Sequence, residues 1–384
     1  MGIYRAASSS GSSHRAGVIQ RGSARRAPTL LPIDALTPRD LASWRELAAQ
    51  AVEPNPFFEP ECVLPAARYL GGSHVALLVV TDSDRDWLAC MPVIPRVKRW
   101  HLRLPALSAW RNLYGCLGTP LVTGTAVEVA TERLLAQAFR ASRFGLVAFP
   151  WIGDGGPVLD GLRSALEASG GEPAMRRSYD RAVMRRTTLA DGLEGVITSR
   201  HHRDLRRLAR RLTEELDAPL ELRDESERAA AVEDFMALEA SGWKGEGGTA
   251  LRCNPAHAAY FTELCDGFRL IGRLQLLALG TAEQAVSYKC NLLAGDAVFC
   301  FKIAHDESFA HYRPGLQLEV RMLEHFRDRM SETWMDSCSY PDSKLFEHFW
   351  PEHRPIGSYL MVADRTVSRA IGHGVARFAG QQAS

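Results

Sequence analysis

Apolar positions along this chain switch between helical and alternating spacing, and the switches mark out its elements. Residues 37–50 carry apolar side chains at helical intervals, with Thr37 placed to cap and Pro38 in the first turn. A second helix is predicted over 60–70. Strand-like runs follow at 74–81, 87–94 and 113–122, while the basic, proline-broken stretch 96–107 reads as a loop. A helix over 126–142, a strand over 145–150, a short helix over 157–168 and a strand over 181–189 complete the first half.

The second half repeats this order. Helices are predicted over 199–216, 227–241 and 255–268, then strands over 272–279, 285–292 and 297–304, with turns at Gly280 and at Gly295-Asp296. A helix over 315–330 follows, with Leu316, Leu318, Val320, Met322, Leu323 and Phe326 as its apolar content. A strand over 333–338, a short helix over 343–350 and a strand over 356–362 end the pattern. Tight turns between strands followed by a crossover helix imply a mixed, mostly antiparallel sheet flanked by helices. The expected class is therefore α/β (α+β) with two tandem domains, 31–190 and 191–384, behind a basic tail at 1–30. The divide falls near 188–198, where Asp191 and two glycines interrupt the pattern.

Composition narrows the function. A chain of 384 residues is long for one core, which agrees with two domains. The net charge of +1 gives no global pull toward nucleic acid or an anionic membrane, so such a partner would need a local patch. No apolar run approaches the roughly 20 residues of a membrane span, and no apolar signal segment opens the chain. Arg5, Arg15, Arg21, Arg25 and Arg26, with no acid before Asp34, read as a disordered tail, with a transit peptide as the alternative. The eight cysteines form no C-x-x-C pair, so no metal site is expected, and they suit reduced core positions in a cytoplasmic protein.

Four stretches of the second half carry a resemblance: SRHHRDLRRLARRL at 199–212, LEASGWKGEGGTAL at 238–251, KIAHDESFAHYRPGLQL at 302–318 and MDSCSYPDSKLFEHFW at 335–350. In that order they resemble the GNAT-superfamily acyltransferase domain of CelD-type and FemAB-related proteins, the BioF-like acetyltransferase domain. The resemblance covers residues 188–365. Trp243-Lys244-Gly245 and Arg313-Pro314-Gly315 are its most specific parts. The first half resembles the family only in its order of elements and in GTPLV at 118–122. The resemblance implies transfer of an acyl or aminoacyl group to an amine or hydroxyl on a small-molecule, saccharide or peptide acceptor. It implies acyl-CoA as cosubstrate with no permanently bound cofactor, or aminoacyl-tRNA in the peptidoglycan-bridge branch. The near-neutral net charge argues against a large tRNA footprint. A non-catalytic scaffold in envelope or polysaccharide synthesis is the remaining alternative.

The family holds its donor pyrophosphate on a glycine-rich turn at the start of the central helix, where orphan amides and the helix dipole favour an anion. Here Arg313, Pro314, Gly315 and Leu316 stand at that position, although Gln317 replaces the usual second glycine. A structural reading, Pro314 preset for a first turn, stands beside it. An amine acceptor with a pKa near 10.4 needs a proton acceptor at neutral pH, at a cost of roughly 4–5 kcal/mol. Asp306 is the first candidate, with His305 second, both at the tip of the third strand; an Asx-turn is the structural alternative for Asp306. Asp336, in the apolar run WMDSC, could act as base or orient the acceptor. Lys289 lies on a central strand and would need Asp336 or Asp306 as partner if buried. Trp243 and Lys244, in a glycine-rich loop, and Lys344 are the candidate substrate-binding residues. The basic helix over 199–212 reads either as a solvated face or as an anion-binding one.

Overall fold

The computed structural model describes residues 30–365 apart from 96, 100, 101, 105, 341–345, 347 and 348, together with Ser368. Strand β1 (Leu30–Pro32) leads to helix α1 (Pro38–Ala49), whose N-terminus carries the capping box expected of Thr37, completed by Asp40. Helix α2 (Pro60–Tyr69), β2 (Ala76–Thr81), β3 (Trp87–Ile94), a hairpin of β4 (Val97–Arg99) and β5 (Leu102–Leu104), β6 (Leu107–Ala109) and β7 (Leu121–Val122) follow. Then come α3 (Val127–Ala141), β8 (Leu146–Gly153), α4 (Pro157–Ala168) and β9 (Glu172–Arg185).

The second half holds α5 (Ser199–Leu216), β10 (Glu221–Asp224), α6 (Ala230–Ala240), the single turn α7 (Trp243–Glu246) and α8 (Pro255–Leu270). Strands β11 (Leu274–Gly280), β12 (Ala285–Ala294) and β13 (Ala297–His305) lead through a 3-10 turn to α9 (Pro314–Arg329), β14 (Trp334–Asp336) and β15 (Glu352–Val362). The doubled order of elements is present apart from the short helix expected over 343–350, most of which lies outside the described residues. Several segments differ from expectation: β10 matches no predicted strand, and β9 begins at Glu172, well before the strand predicted over 181–189. The run 113–120 is a loop, and only the end of the predicted strand, β7, pairs with β3; a further strand beside β3, β6, starts at the end of the stretch read as a loop, which itself holds the β4–β5 hairpin. The apolar content of the 113–120 loop packs as side chains: Tyr114 stacks on Tyr260 with centroids 5.3 Å apart.

The two halves share a single sheet of 13 strands, with order β1-β2-β3-β6-β8-β15-β9-β14-β13-β12-β11-β10 and β7 beside β3. Each half contains one parallel pair, β6 with β8 and β13 with β14, as a crossover helix requires. The strand that follows each parallel pair comes from the other half. β15, last in the chain, lies against β8, and β9 lies against β14. β9 and β15 pair along eleven positions, from Glu352–Val183 to Val362–Glu172, and weld the halves. One core, holding Trp44, Phe57, Phe149, Phe261 and Phe299, runs across both halves. A second, with Leu205, Leu212, Leu318, Met322 and Phe326, fills the space under α5 and α9.

Candidate functional site

β13 and β14 pair only from Ala297–Trp334 to Phe299–Asp336 and then part. Because α9 connects them, its N-terminus lies at the same end as this split, the end where α/β sheets leave a crevice. A bulge sets what faces it. Cys290 pairs with Lys302 and Asn291 with Cys300, so Phe301 is an extra residue in β13. Before the bulge, Val298 and Cys300 point to the α9 side; beyond it, Ile303 and His305 do. An unbroken alternation would have turned Lys302 and Ala304 there instead.

A cavity of 430 Å³ lies over this strand tip, walled by Ile303, His305 and Glu307 on one side and by Arg313, Pro314, Gly315 and Leu316 on the other. Glu239, Trp243 and Lys244 close its far end. The start of α9 is open. Its N-cap, Arg313, makes no side-chain cap, Pro314 has no N–H, and Leu316 and Gln317 both donate back to the Arg313 carbonyl at 3.1 Å. The Gly315 N–H has no protein acceptor among the described residues. Arg313 also holds a left-handed backbone, φ 55°. That conformation costs a non-glycine residue about 1–2 kcal/mol, and forgoing a Ser, Thr or Asp cap costs about 1 kcal/mol more. A cation thus stands beside an unfilled amide at a position where local stability alone favours glycine or a capping residue.

The structure brings His305, Trp243, Lys244 and the 313–316 turn into this one cavity. A Cβ added to Gly315 would stand 3.7 Å from His305 Nδ1 and from Ile303 Cδ1, so the imidazole lies directly over the helix start. His305 Nε2 is 3.3 Å from Glu307 Oε1. Asp306, one residue on, points the other way. It is the cap of the following turn, its Oδ1 accepting from the Ser308 N–H and hydroxyl, and it borders a different groove. The Asx-turn reading is the one realised, since alternation along β13 sends its neighbour, and not it, toward α9.

Asp336 and Lys289 lie away from the cavity. Asp336 is fully buried between the Arg354 and Arg181 guanidiniums, at 2.6 and 3.5 Å, and accepts from the Cys338 N–H at 2.7 Å. Arg181 is itself buried; burial opposes its charge, but Asp336 and Tyr179 keep it raised above the ordinary arginine value. Lys289 pairs with Glu319 on α9, whose other oxygen accepts from Trp350 Nε1 at 3.0 Å, rather than with Asp336 or Asp306. Burial pushes the Lys289 ammonium down, and Cys300 and Glu319 more than offset it. Both residues are thus held in buried ion pairs. Lys344 lies outside the described residues.

Comparison with known proteins fits this geometry. Residues 199–337 match the family model for an acetyltransferase (GNAT) domain. The chain carries a GNAT domain. Its whole fold is similar to the crystal structure of FemX, at 11% identity and a TM-score of 0.57, covering 83% of this chain and 95% of that one. It is also similar to the C-terminal domain of a putative lysylphosphatidylglycerol synthetase from Agrobacterium fabrum, at 12% identity and a TM-score of 0.52, covering 88% and 95%. At such identities the likeness is one of fold. A sequence search of curated proteins gives no match. Together the model match over 199–337 and the likeness of the whole fold support a GNAT-type architecture.

The GNAT domain also holds residues that sequence reading passed over. Glu239 is a buried carboxylate on the cavity wall. Its Oε1 takes Lys244 at 3.0 Å and Lys302 at 3.3 Å, and its Oε2 takes the Leu251 N–H at 2.9 Å. Burial would raise its pKa, but Lys302, Lys244 and the amide hold it below the usual carboxylate value. The same anchor fixes the Trp243-Lys244-Gly245 block: a Cβ on Gly245 would meet the Ala240 carbonyl oxygen at 1.9 Å, so only glycine lets α7 fold back on the end of α6. Trp243 is left 61% exposed over the cavity. Glu239 had no local signal, because an acid on a helix that also carries Glu233 and Asp234 reads as surface.

Proposed function

We propose that this protein is an acyltransferase that takes an acyl group from acyl-CoA, or another phosphopantetheine-bound donor, and passes it to an amine or hydroxyl acceptor. The observation that carries this reading is the uncapped start of α9, with its free Gly315 amide and the Arg313 cation beside a cavity that His305 faces. Helix-start amides and a guanidinium are the groups that hold a pyrophosphate. β13 and β14 part beside this cavity, and we place the pantetheine arm at that parting.

In the reaction the acceptor nitrogen or oxygen attacks the thioester carbonyl, forming the new C–N or C–O bond and breaking the C–S bond. His305, held by Glu307, takes the acceptor proton, directly or through a water, and the departing thiolate takes up a proton to leave as the thiol. Juxtaposing donor and acceptor is worth up to about 7–11 kcal/mol, more than proton transfer supplies. We read residues 31–190 as a second GNAT-like unit that shapes the acceptor side, because it offers no comparable donor turn. A donor drawn from the CoA pool agrees with action in the cytoplasm on a small-molecule, saccharide or peptide acceptor.

Acetyl-CoA or a longer acyl-CoA is expected to raise the melting temperature. At a hundred times its Kd a ligand adds about 2.7 kcal/mol to stability. No shift at millimolar acyl-CoA would sink the reading. The arginine face of α5 favours a second one, aminoacyl transfer from tRNA. That reading requires saturable tRNA binding that weakens steeply with added salt.

A further inference from the structure

Resting on the donor reading above, we infer that the first turns of α5 form a second phosphate site, so that the donor carries an additional phosphate beyond the one at α9. A shallow cavity of 630 Å³ lies between the two helices, lined by Arg200, His201, Arg203, Asp204, Arg207 and Arg313. Arg313 borders this cavity and the one at the start of α9, so the two are joined by one guanidinium.

The four arginines face a single acid, Asp204, a local charge of +3 on a chain whose net charge is +1. Asp204 lies between Arg207, at 2.7 Å, and Arg313, at 3.6 Å, and so ties two guanidiniums to one rim. Arg207 and Arg313 hold the Asp204 carboxyl below its ordinary value, so it stays ionised and keeps that rim fixed. Arg200 and Arg203 have no ion-pair partner among the described residues. His201 Nε2 is buried with no hydrogen-bond partner.

A solvated helix face would pair its charges along the helix, as Arg210 and Glu214 do further down α5. Here the unpaired arginines gather at the end nearest the uncapped start of α9, and the left-handed Arg313 reaches toward them. Guanidiniums converging on a concave surface recognise a dianionic phosphate by charge-assisted hydrogen bonds. The chemical class implied is a nucleotide with a pyrophosphate and a separate phosphomonoester, as in the 3′-phospho-ADP end of CoA. The pyrophosphate would lie on α9 and the monoester on α5.

Titration of the full chain with CoA and with 3′-dephospho-CoA tests this. CoA is expected to bind about ten- to a hundredfold more tightly, the range of one charge-assisted hydrogen bond. The gap should close in the double variant Arg200→Ala with Arg203→Ala, which should bind dephospho-CoA as the wild type does. Equal affinity of the wild type for the two ligands overturns the second site and leaves the donor reading standing. If neither binds, the donor reading itself fails and the inference with it. A short single-stranded RNA that binds the arginine face while CoA and dephospho-CoA stay equal assigns the patch to a polynucleotide and overturns the inference.

Discussion

Replacing Gly315 with alanine separates folding from donor binding. The residue has an ordinary helical backbone, and an added Cβ would meet nothing closer than 3.7 Å. Alanine therefore fits without strain and gains helix propensity, up to about 0.5–1 kcal/mol in favour of the folded state. Yet the methyl would stand between His305 and Ile303 on the wall where a donor phosphate must approach the Gly315 amide. Holding the anion off that amide removes a charge-assisted hydrogen bond, worth about 1.5–3 kcal/mol, or roughly ten- to a hundredfold in affinity. A ligand-free protein as stable as the wild type or slightly more so, with a smaller melting shift from acetyl-CoA, is the expected pair of results. Thermal denaturation with and without donor reads both. Gly315→Leu, which fills the space further, should abolish the shift. A donor-induced shift that survives Gly315→Leu unchanged refutes the placement of the donor on this turn.

His305→Ala should lower acyl transfer by about 10²- to 10⁴-fold, while Asp306→Ala should leave it within a few fold, both followed by thiol release from acyl-CoA. Lys289→Met leaves Glu319 buried and unpaired against Trp350 and should cost about 3–5 kcal/mol in denaturant unfolding; adding Glu319→Leu should recover most of that loss. Because the Glu239 pKa is lowered in the folded state, its stabilising contribution is full above the unfolded value of about 4.5 and is lost as pH falls through the lower folded value. Melting curves between pH 6 and pH 3 should therefore fall less steeply for Glu239→Gln than for the wild type.

What was legible in the sequence follows from what is local. The capping box at Thr37, the continuous apolar run of β3, the helical spacing of α9 and the Arg313-Pro314-Gly315 turn are written within a few residues, and each stands where its pattern puts it. The choice between His305 and Asp306 was not legible, because it depends on one extra residue at Phe301 that reverses which side of β13 faces α9. Neighbouring residues on a strand point to opposite faces, so a single bulge exchanges a candidate base for a loop cap. The partners of Lys289 and Asp336 were equally hidden. Glu319 reads as a surface position of a helix, while Arg181 and Arg354 come from strands whose neighbours only the sheet order reveals.

That sheet order bears on why two halves are present when one carries the donor turn. β14 is three residues long and has β13 on one side only through Phe299, so its other edge depends on β9 from the first half. β9 in turn is held by eleven pairings to β15, the last strand of the chain. Asp336, at the end of β14, gathers Arg181 from β9 and Arg354 from β15, so the point where β13 and β14 part is braced by charges from both halves. A cut at the boundary read from the sequence, before residue 191, would remove β9 and leave Asp336 buried with one of its two arginines gone. The isolated 191–384 segment should then expose the edge of β14 and fail to hold the opening beside α9. Coexpression with 31–190 should restore donor binding. A 191–384 fragment that folds alone and still gains stability from acetyl-CoA would show that the bracing is dispensable.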